Sequence, residues 1–226
     1  MGINTDQILA RLPLAAVRRD GAFHKRNFAK ELGEPKCKGL TARTPLRTFQ
    51  TFVAFDTETT GIALTGNGVI EVSAVRFVDF MPRILFTTLI HPQKPIPPDA
   101  TAVNHITNEM VQNAPLFYEI IPSLEFFLRD SPLIAHNAPF DVKHLYADGL
   151  DSIAQKKVYD TCALSRKMHP QQPDHKLGTC CAAHGIAIGN AHRAASDAMA
   201  CGLLFVQFLM QHYHASDTNA LKQMMQ

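Results

Sequence analysis

The sequence predicts an α/β domain built on a mixed five-stranded sheet with helices on its faces. Three apolar segments rich in β-branched residues follow one another at 49–55, 68–78 and 83–90, which is the pattern of consecutive strands. Beyond them, short apolar segments alternate with segments of helical period, which indicates strands connected through helices. The first segment, FQTFVAF, is the densest in apolar residues. We therefore expect it to be the central strand, buried on both faces.

The remaining elements follow in chain order. Residues 132–136 (PLIAH) and 156–160 (KKVYD) are predicted as the fourth and fifth strands. Helices are predicted over 101–112, 115–130, 137–150, 175–185 and 192–214, the last being long and apolar. No internal repeat of solenoid period is present.

The first 47 residues form a basic extension that differs in texture from the rest. Residues 1–50 hold ten basic and four acidic residues, a net charge of +6, whereas the remainder carries −4. Helices are expected over 5–17, with Thr5 as N-cap and an interruption at Pro13, and over 23–32, followed by a Pro- and Gly-rich linker. The chain is thus divided into an extension (1–47), a main domain (48–214) and a short tail (215–226). The basic bias favours a polyanionic partner, a docking segment for another protein, or a solvated leader.

Composition excludes several classes of protein. With 46% hydrophobic and 19% charged residues the chain has ample material for a core, which excludes a disordered protein. The five cysteines include no CxxC pair, so a disulfide scaffold and the common zinc ribbons are excluded, and we expect the cysteines to be core residues. No apolar run approaches membrane-spanning length and the N-terminus lacks signal-peptide order. We expect a cytoplasmic protein without membrane association.

Two carboxylates at the end of the first strand indicate a metal site. Asp56 and Glu58 are two residues apart in FDTETTG, so their side chains share one face of the strand. Like charges at the end of a buried strand repel each other and are costly to desolvate. The nearest basic residues along the chain are Arg47 and Arg76. A divalent cation, Mg²⁺ or Mn²⁺, is the simplest compensation, because oxygen ligands suit hard ions.

Three further polar residues follow at similar positions. Asp141 comes after the fourth strand in LIAHNAPFD; in HRAASDAM, Asp197 lies in the first turns of the C-terminal helix and His192 in the lead-in just before them. Each has an ordinary explanation, since an acid in the first turn of a helix is favoured by the helix dipole and polar residues cap helices. Together, in the order DxE, D, HxxxxD, they indicate one shared site.

These motifs resemble those of the DEDDh 3′–5′ exonucleases of the RNase H-like superfamily. FDTETTG matches the first family motif, HNAPFD the second, and HRAASDA the third in its histidine form. Within the family, the chain is most similar to the proofreading epsilon subunits of bacterial DNA polymerase III. The resemblance covers about residues 48–212 and implies an RNase H-like fold. It departs from the epsilon type at both ends, because the basic extension has no counterpart and only about 14 residues follow the long helix.

The resemblance implies specific roles for these residues. Asp56, Glu58, Asp141 and Asp197 would hold two divalent ions, and His192 would be the general base. The 3′-terminal nucleotide would be held by residues of three segments. These are Thr57, Thr59, Ile62, His105, Ile106, Asn137 and Phe140. For Ile62, Ile106 and Phe140, ordinary core packing is an equal alternative.

The implied activity is metal-dependent hydrolysis of DNA from the 3′ end to nucleoside 5′-monophosphates, by a stand-alone or auxiliary enzyme of DNA repair or proofreading. An exoribonuclease acting on RNA or short oligonucleotides uses the same site, and an inactive binding protein is a further alternative. The expected partner is a single-stranded nucleic acid 3′ end, with residues 1–47 as a candidate contact to a polymerase or sliding clamp. The sequence carries no interface signature that sets an oligomeric state.

Overall fold

A computed structural model describes residues 2–18, 35–41, 44–64 and 68–213. The main sheet has five strands, as predicted. They are β2 (Thr51–Thr59), β3 (Val69–Val78), β4 (Met81–Leu89), β5 (Leu133–Ala135) and β6 (Val158–Asp160). A separate parallel pair is formed by β1 (Ile3–Asn4) and β7 (Ile186–Ala187).

The strand order in the main sheet is β4-β3-β2-β5-β6, so β2 is central as expected. It pairs antiparallel with β3 and parallel with β5, which makes the sheet mixed. Along β2, Phe52 and Ala54 face one core layer, whereas Val53 and Phe55 face the other. This alternation places the side chains of Asp56 and Glu58 on the first face and that of Thr57 on the second.

Helices cover both faces of the sheet. They are α1 (Thr5–Leu9), α2 (Pro98–Asn104), α3 (Asn108–Val111), α4 (Phe117–Leu128), α5 (Ala138–Ala147), α6 (Thr161–Met168), α7 (Leu177–Ala183) and α8 (Ala194–His212). Short 3-10 helices cover Leu46–Phe49 and Asp151–Gln155. Helix α8 packs on the face that Phe52 and Ala54 line, while α4 and α5 cover the opposite face.

Helix α8 is the core helix of the domain. By length and hydropathy it could cross a membrane, but 72% of its most apolar window is buried inside the fold. Its burial explains its composition, because a helix that is apolar on most sides needs protein around it when it is not in lipid. Four cysteines are buried, as the sequence analysis expected (Cys162, Cys180, Cys181 and Cys201), whereas Cys37 is only half-buried.

The predicted helix over 101–112 is wrong, since the structure has two helices, α2 and α3, with a break between them. His105 adopts φ 60°, in the left-handed region, and ends α2. The Asn104 side chain accepts from the Ile106 backbone N–H at 3.0 Å, which replaces the helical hydrogen bond. Thr107 then caps α3 through its hydroxyl.

The predicted N-terminal helix is also shorter than expected. It ends at Leu9, well before Pro13, and its N-cap is Asn4 rather than Thr5. The Asn4 carboxamide accepts from the Asp6 and Gln7 backbone N–H groups. The helix expected over 23–32 lies outside the described residues.

The described parts of the extension lie against the sheet rather than apart from it. Leu14 bridges to Leu85 of edge strand β4, and Lys38 bridges to Tyr159 of edge strand β6. Leu40, in the segment expected to be a linker, is buried in the core layer around α8. The extension therefore covers both edges of the main sheet, which would otherwise expose unpaired backbone groups.

Candidate active site

Carboxylates from two elements meet at the end of the central strand. Asp56 and Glu58 come from the α8 face of β2, and Asp197 comes from the first turn of α8. Ligand oxygens of these three side chains all lie within 4.8 Å of one another, and all three residues are partly buried. The alternation of β2 and the packing of α8 on that face bring them together.

Asp141 reaches the same region from the first turn of α5, on the other side of β2. It is 3% exposed, and its Oδ1 accepts hydrogen bonds from the Thr57 backbone N–H at 3.0 Å and the Thr57 hydroxyl at 2.8 Å. The charge of Asp141 contributes to raising the pKa of Asp56, as expected of neighbouring carboxylates. Thr57 thus fixes the position of Asp141 through two hydrogen bonds.

The electrostatics of this site disfavour four negative charges. Burial, followed by repulsion from Asp141 and Asp197, raises the pKa of Asp56 well above its usual range. Burial and the charge of Asp197 raise the pKa of Glu58 to about 8. Burial likewise raises the pKa of Asp141 to about 7 and that of Asp197 to about 6. The cluster therefore favours bound protons or bound cations.

The donor set fits a hard divalent cation. The three clustered ligands are all carboxylates, and within the described part of the chain no histidine or cysteine joins them. Oxygen-only sites of this kind suit Mg²⁺ and Mn²⁺ rather than zinc. A bound cation would offset both the burial of the charged carboxylates and their mutual repulsion, which together raise their pKa values.

Glu71 and Arg193 were missed by the sequence analysis. Glu71 lies opposite Glu58 across the β2–β3 pair and is 3% exposed. The Arg193 guanidinium donates twice to its carboxylate, at 2.6 and 3.1 Å, and the Ala194 backbone N–H donates at 3.0 Å. A lone acid inside the apolar strand VIEVSAV was the available signal, since such a residue requires a partner.

Arg193 also corrects the expectation about compensating charge. The sequence analysis found no basic residue close along the chain, since the nearest are Arg47 and Arg76, but the fold brings the Arg193 side chain from the start of α8 to the carboxylates. Its charge acts to lower the pKa of Glu58, against the effect of burial. The Glu71–Arg193 pair thus ties the start of α8 to β3. This is the same helix that carries Asp197 in its first turn.

His192 lies just before α8, as the sequence analysis expected. It is exposed and has φ 62°, in the left-handed region. Its backbone N–H donates to Asp197 Oδ2 at 2.9 Å. The bond fixes the backbone of His192 beside one carboxylate of the cluster.

Asn137 occupies the turn that leads into α5. It is exposed and has φ 62°, a conformation that asparagine tolerates better than most residues. Its backbone N–H donates to Asp160 Oδ1 at 2.9 Å, and the same oxygen accepts from the Cys162 backbone N–H. The buried Asp160 therefore fixes the turn before Asp141. Asn137 thus has a structural function in this turn, in addition to the nucleotide contact that the sequence analysis expected.

The other expected nucleotide contacts fall into different environments. Ile62 is 85% exposed, so core packing does not account for it, whereas Ile106 is fully buried beside Ile70 and Ile96. His105 is exposed at the end of α2. Phe140 is partly buried, and its ring lies 4.5 Å from that of His144.

Hydrogen bonds join the segment after the first motif to the elements that carry His105 and Asp141. The Thr59 carbonyl accepts from the Asn104 side chain at 3.3 Å, next to His105. The Ile62 carbonyl is bonded to His144 Nε2 at 3.3 Å, one turn after Asp141 on α5. His144 is buried, and this bond engages its Nε2.

Comparison with known proteins points to one family. The exonuclease family model matches residues 53–205 of this chain. DNA polymerase III subunit epsilon of Treponema pallidum (strain Nichols) is 39% identical over 168 residues, covering 71% of this chain and 77% of that protein. DNA polymerase III PolC-type of Caldanaerobacter subterraneus subsp. tengcongensis is 34% identical over 160 residues, covering 70% of this chain but 11% of that longer protein.

Solved structures share the fold. Exonuclease X in complex with 5′ overhanging duplex DNA has a TM-score of 0.59 and 24% identity, covering 74% of this chain and 96% of that one. E. coli exonuclease I in complex with a dT13 oligonucleotide has a TM-score of 0.60 and 16% identity, covering 77% and 43%. The RNase H-like mixed sheet with flanking helices is thereby confirmed.

Proposed function

This chain belongs to the exonuclease family and is a 3′–5′ exonuclease, and on that premise we propose that it hydrolyses DNA from the 3′ end and releases nucleoside 5′-monophosphates. One observation carries the proposal. Asp56, Glu58 and Asp197 place ligand oxygens within 4.8 Å of one another, with Asp141 held beside them by Thr57. Such a cluster can bind hard cations and, once neutralised, accept a phosphate group.

We assign the roles by position in the site. Asp56, Glu58, Asp141 and Asp197 would hold two divalent ions, Mg²⁺ or Mn²⁺. When bound, the ions supply a more acidic water and stabilise charge on the phosphate and the leaving oxygen. His192 would take the proton of the attacking water as general base, since imidazole can accept a proton near neutral pH.

The terminal nucleotide would lie against the segments that border the carboxylates. Thr57 and Thr59 lie within the first motif, and Ile62 offers an exposed apolar side chain just beyond it. His105 and Asn137 are exposed on the neighbouring elements, and both have left-handed backbone conformations. Ile106 and Phe140 would support this surface from beneath, because both are wholly or partly buried.

The biological setting is part of the proposal. We propose a stand-alone or auxiliary enzyme of DNA repair or proofreading in the cytoplasm, acting on single-stranded 3′ ends. Residues 1–47 remain the candidate contact to a polymerase or clamp, beside the catalytic domain at 48–214 and the tail at 215–226. If the basic extension contacts phosphates, binding to DNA should weaken as salt rises, and truncation should reduce that salt dependence.

Degradation of two labelled single-stranded 20-mers tests the activity. One is DNA and one RNA, each incubated with Mg²⁺, with Mn²⁺ and with a chelator. A metal-dependent ladder that shortens from the 3′ end of DNA supports the proposal. A ladder on RNA alone would assign the same chemistry to RNA turnover, and no cleavage by the folded protein would contradict it.

A matched pair of variants tests the site. Asp56→Asn removes one charge from the cluster and should abolish cleavage while the protein stays folded. Asp130→Asn makes the same chemical change at an exposed residue before β5, remote from the cluster, and should leave cleavage unchanged. Full activity in Asp56→Asn would overturn the metal assignment.

A further inference from the structure

We propose that the N-terminal segment Ile3–Leu9 is a positioning element for the loop that carries His192. The family resemblance begins near residue 48, so nothing in it assigns a role to this segment. The proposal rests on the proposed function insofar as it takes His192 to be the general base. Its structural basis is a set of contacts between residues that are more than 180 positions apart in the chain.

The segment is built into the domain rather than attached to its surface. Strand β1 pairs in parallel with β7, and the Ile3 backbone N–H donates to the Gly185 carbonyl at 2.9 Å. Strand β7 ends at Ala187, five residues before His192. The pairing therefore fixes the chain at the point where the loop to His192 begins.

Thr5 holds the middle of that loop. It is fully buried, and its Oγ1 accepts from the Gly189 backbone N–H at 3.1 Å. The hydrogen bond satisfies the buried Thr5 hydroxyl and fixes the loop backbone at Gly189, because a buried hydroxyl without a partner would be unfavourable.

Asp6 contacts both the loop and the helix that follows. Its Oδ1 accepts from the Ser196 hydroxyl at 2.7 Å, on the residue before Asp197. Its carboxylate also lies so close to the Gly189 Cα that a Cβ at this position would overlap both carboxylate oxygens. Glycine at 189 is the residue that permits this approach.

The loop is thus held from two sides. Thr5 holds it from the N-terminal segment through the Gly189 N–H, Asp6 packs against Gly189 and bonds the start of α8 at Ser196, and Asp197 holds it from α8 through the His192 backbone N–H. A general base must lie within hydrogen-bond reach of the proton that it removes, and small displacements are costly in rate. Loss of the N-terminal contacts should therefore lower turnover more than substrate affinity.

The test compares variants that remove contacts with one that only removes packing. Thr5→Val removes the acceptor of the Gly189 N–H while keeping the shape, and Asp6→Ala removes the acceptor of the Ser196 hydroxyl. We expect kcat to fall about tenfold to a hundredfold in each, with KM changed less than about twofold. Thr5→Ser keeps the oxygen and should recover most of the rate.

Ile8→Ala is the matched control. Ile8 packs against the core from the same helix, so its truncation should lower the melting temperature while kcat stays unchanged at temperatures where the protein is folded. If Ile8→Ala lowers kcat as much as Thr5→Val at equal loss of stability, the segment is a structural support and the proposal is wrong. Unchanged kcat in both Thr5→Val and Asp6→Ala would also overturn it.

Amide hydrogen exchange gives a readout that does not depend on activity. The Gly189 and His192 amides should exchange faster in Thr5→Val and Asp6→Ala than in the unmodified protein, and not in Ile8→Ala when compared at equal global stability. Inactivity of the unmodified protein would contradict the proposed function, while these exchange rates would still decide whether the segment orders the loop. Unchanged exchange at both amides would refute the positioning role.

Discussion

His192 is exposed, unlike the four carboxylates of the candidate site, and a hydrogen bond holds its backbone. The left-handed φ and the bond to Asp197 fix where the imidazole begins. A general base contributes to the rate without holding the ions. We therefore expect His192→Ala to lower turnover by roughly 10² to 10⁴ while Mn²⁺ binding is kept.

Turnover and Mn²⁺ titration, measured on the same preparation, check this prediction. His212→Ala is the control, because His212 lies at the far end of α8, roughly 27 Å from the first residue of that helix at 1.5 Å per residue. Loss of Mn²⁺ binding in His192→Ala would make His192 a ligand instead.

Arg193 is a positively charged side chain near the carboxylates, and it pairs with the buried Glu71. Its removal leaves the buried Glu71 with one of its three hydrogen bonds, next to Glu58. We expect Arg193→Ala to lower the free energy of unfolding by about 1–3 kcal/mol, measured by urea denaturation of the chelated protein. Arg193→Lys keeps the charge but not the paired donors and should lose less.

Arg83→Ala is the matched control for this prediction. Arg83 is exposed on edge strand β4, and its removal should change stability by less than about 0.5 kcal/mol. If Arg193→Ala is equally neutral, the pair with Glu71 does not stabilise the start of α8.

For individual residues, the sequence predicts that carboxylates meet in one site but not which residues hold them in place. The shared position of Asp56 and Glu58 could be predicted, because side chains two residues apart on a strand lie on the same face. The partner of Glu71 could not be predicted, because 122 positions separate it from Arg193 and only the fold makes them neighbours. Thr57 was expected to contact substrate, yet its hydrogen bonds go to Asp141. The reason is that its side chain lies on the face of β2 that α5 covers, opposite to Asp56 and Glu58.

Helix α8 carries Asp197 at one end and forms the core along its length. Gly202 lies where the helix approaches the sheet, and a Cβ there would overlap the Phe77 ring. Overpacking of a core costs more than the helix propensity that alanine gains. We expect Gly202→Ala to lower the free energy of unfolding by about 1–3 kcal/mol.

Gly178→Ala provides the contrast within α7. Nothing lies within 4 Å of a Cβ at that position, so alanine should stabilise the protein by up to about 1 kcal/mol. Denaturation curves of the two variants check the pair. Stabilisation by Gly202→Ala would mean that α8 can move away from Phe77 without loss.

Among the elements, long periodic segments were predictable and local breaks were not. The five strands and α8 follow from apolar patterns that tertiary packing reinforces. The break between α2 and α3 depends on a side-chain bond from Asn104 to the Ile106 N–H, which competes with the helix. Helical periodicity over 101–112 does not reveal that competition.

For the whole molecule, the carboxylate cluster makes stability depend on pH and on metal. Mainly through burial, the pKa of Glu58 is raised to about 8 and that of Asp141 to about 7, against about 4 in an unfolded chain. Between these values the folded chain binds more protons than the unfolded chain. The free energy of unfolding must therefore fall as pH rises through this range.

Thermal unfolding in chelator between pH 6.5 and 8.5 checks this dependence. Burial lowers the pKa of His136 and His144, so their opposite effect on stability ends once the histidines of the unfolded chain have lost their protons, about one pH unit above 6.5. The fall is therefore expected to be clearest in the upper part of the range. We expect the melting temperature to decrease across this range, Mn²⁺ to restore it at pH 8.5, and Asp56→Asn to flatten the slope. A melting temperature that rises with pH in chelator would contradict the electrostatic account.

The extension was predicted to be an arm, and the described parts of it are instead built into the sheet and the core. Leu40 and Leu14 give a direct comparison, because Leu40 is 3% exposed and Leu14 is 68% exposed. We expect Leu40→Ala to lower the free energy of unfolding by about 2–5 kcal/mol and Leu14→Ala to change it by less than about 0.5 kcal/mol, as measured by urea denaturation. An extension that detaches from the domain would make both variants neutral.

Removal of residues 1–47 should then do more than weaken DNA binding, since the uncovered edges of β4 and β6 would promote association of the chain, detectable by light scattering.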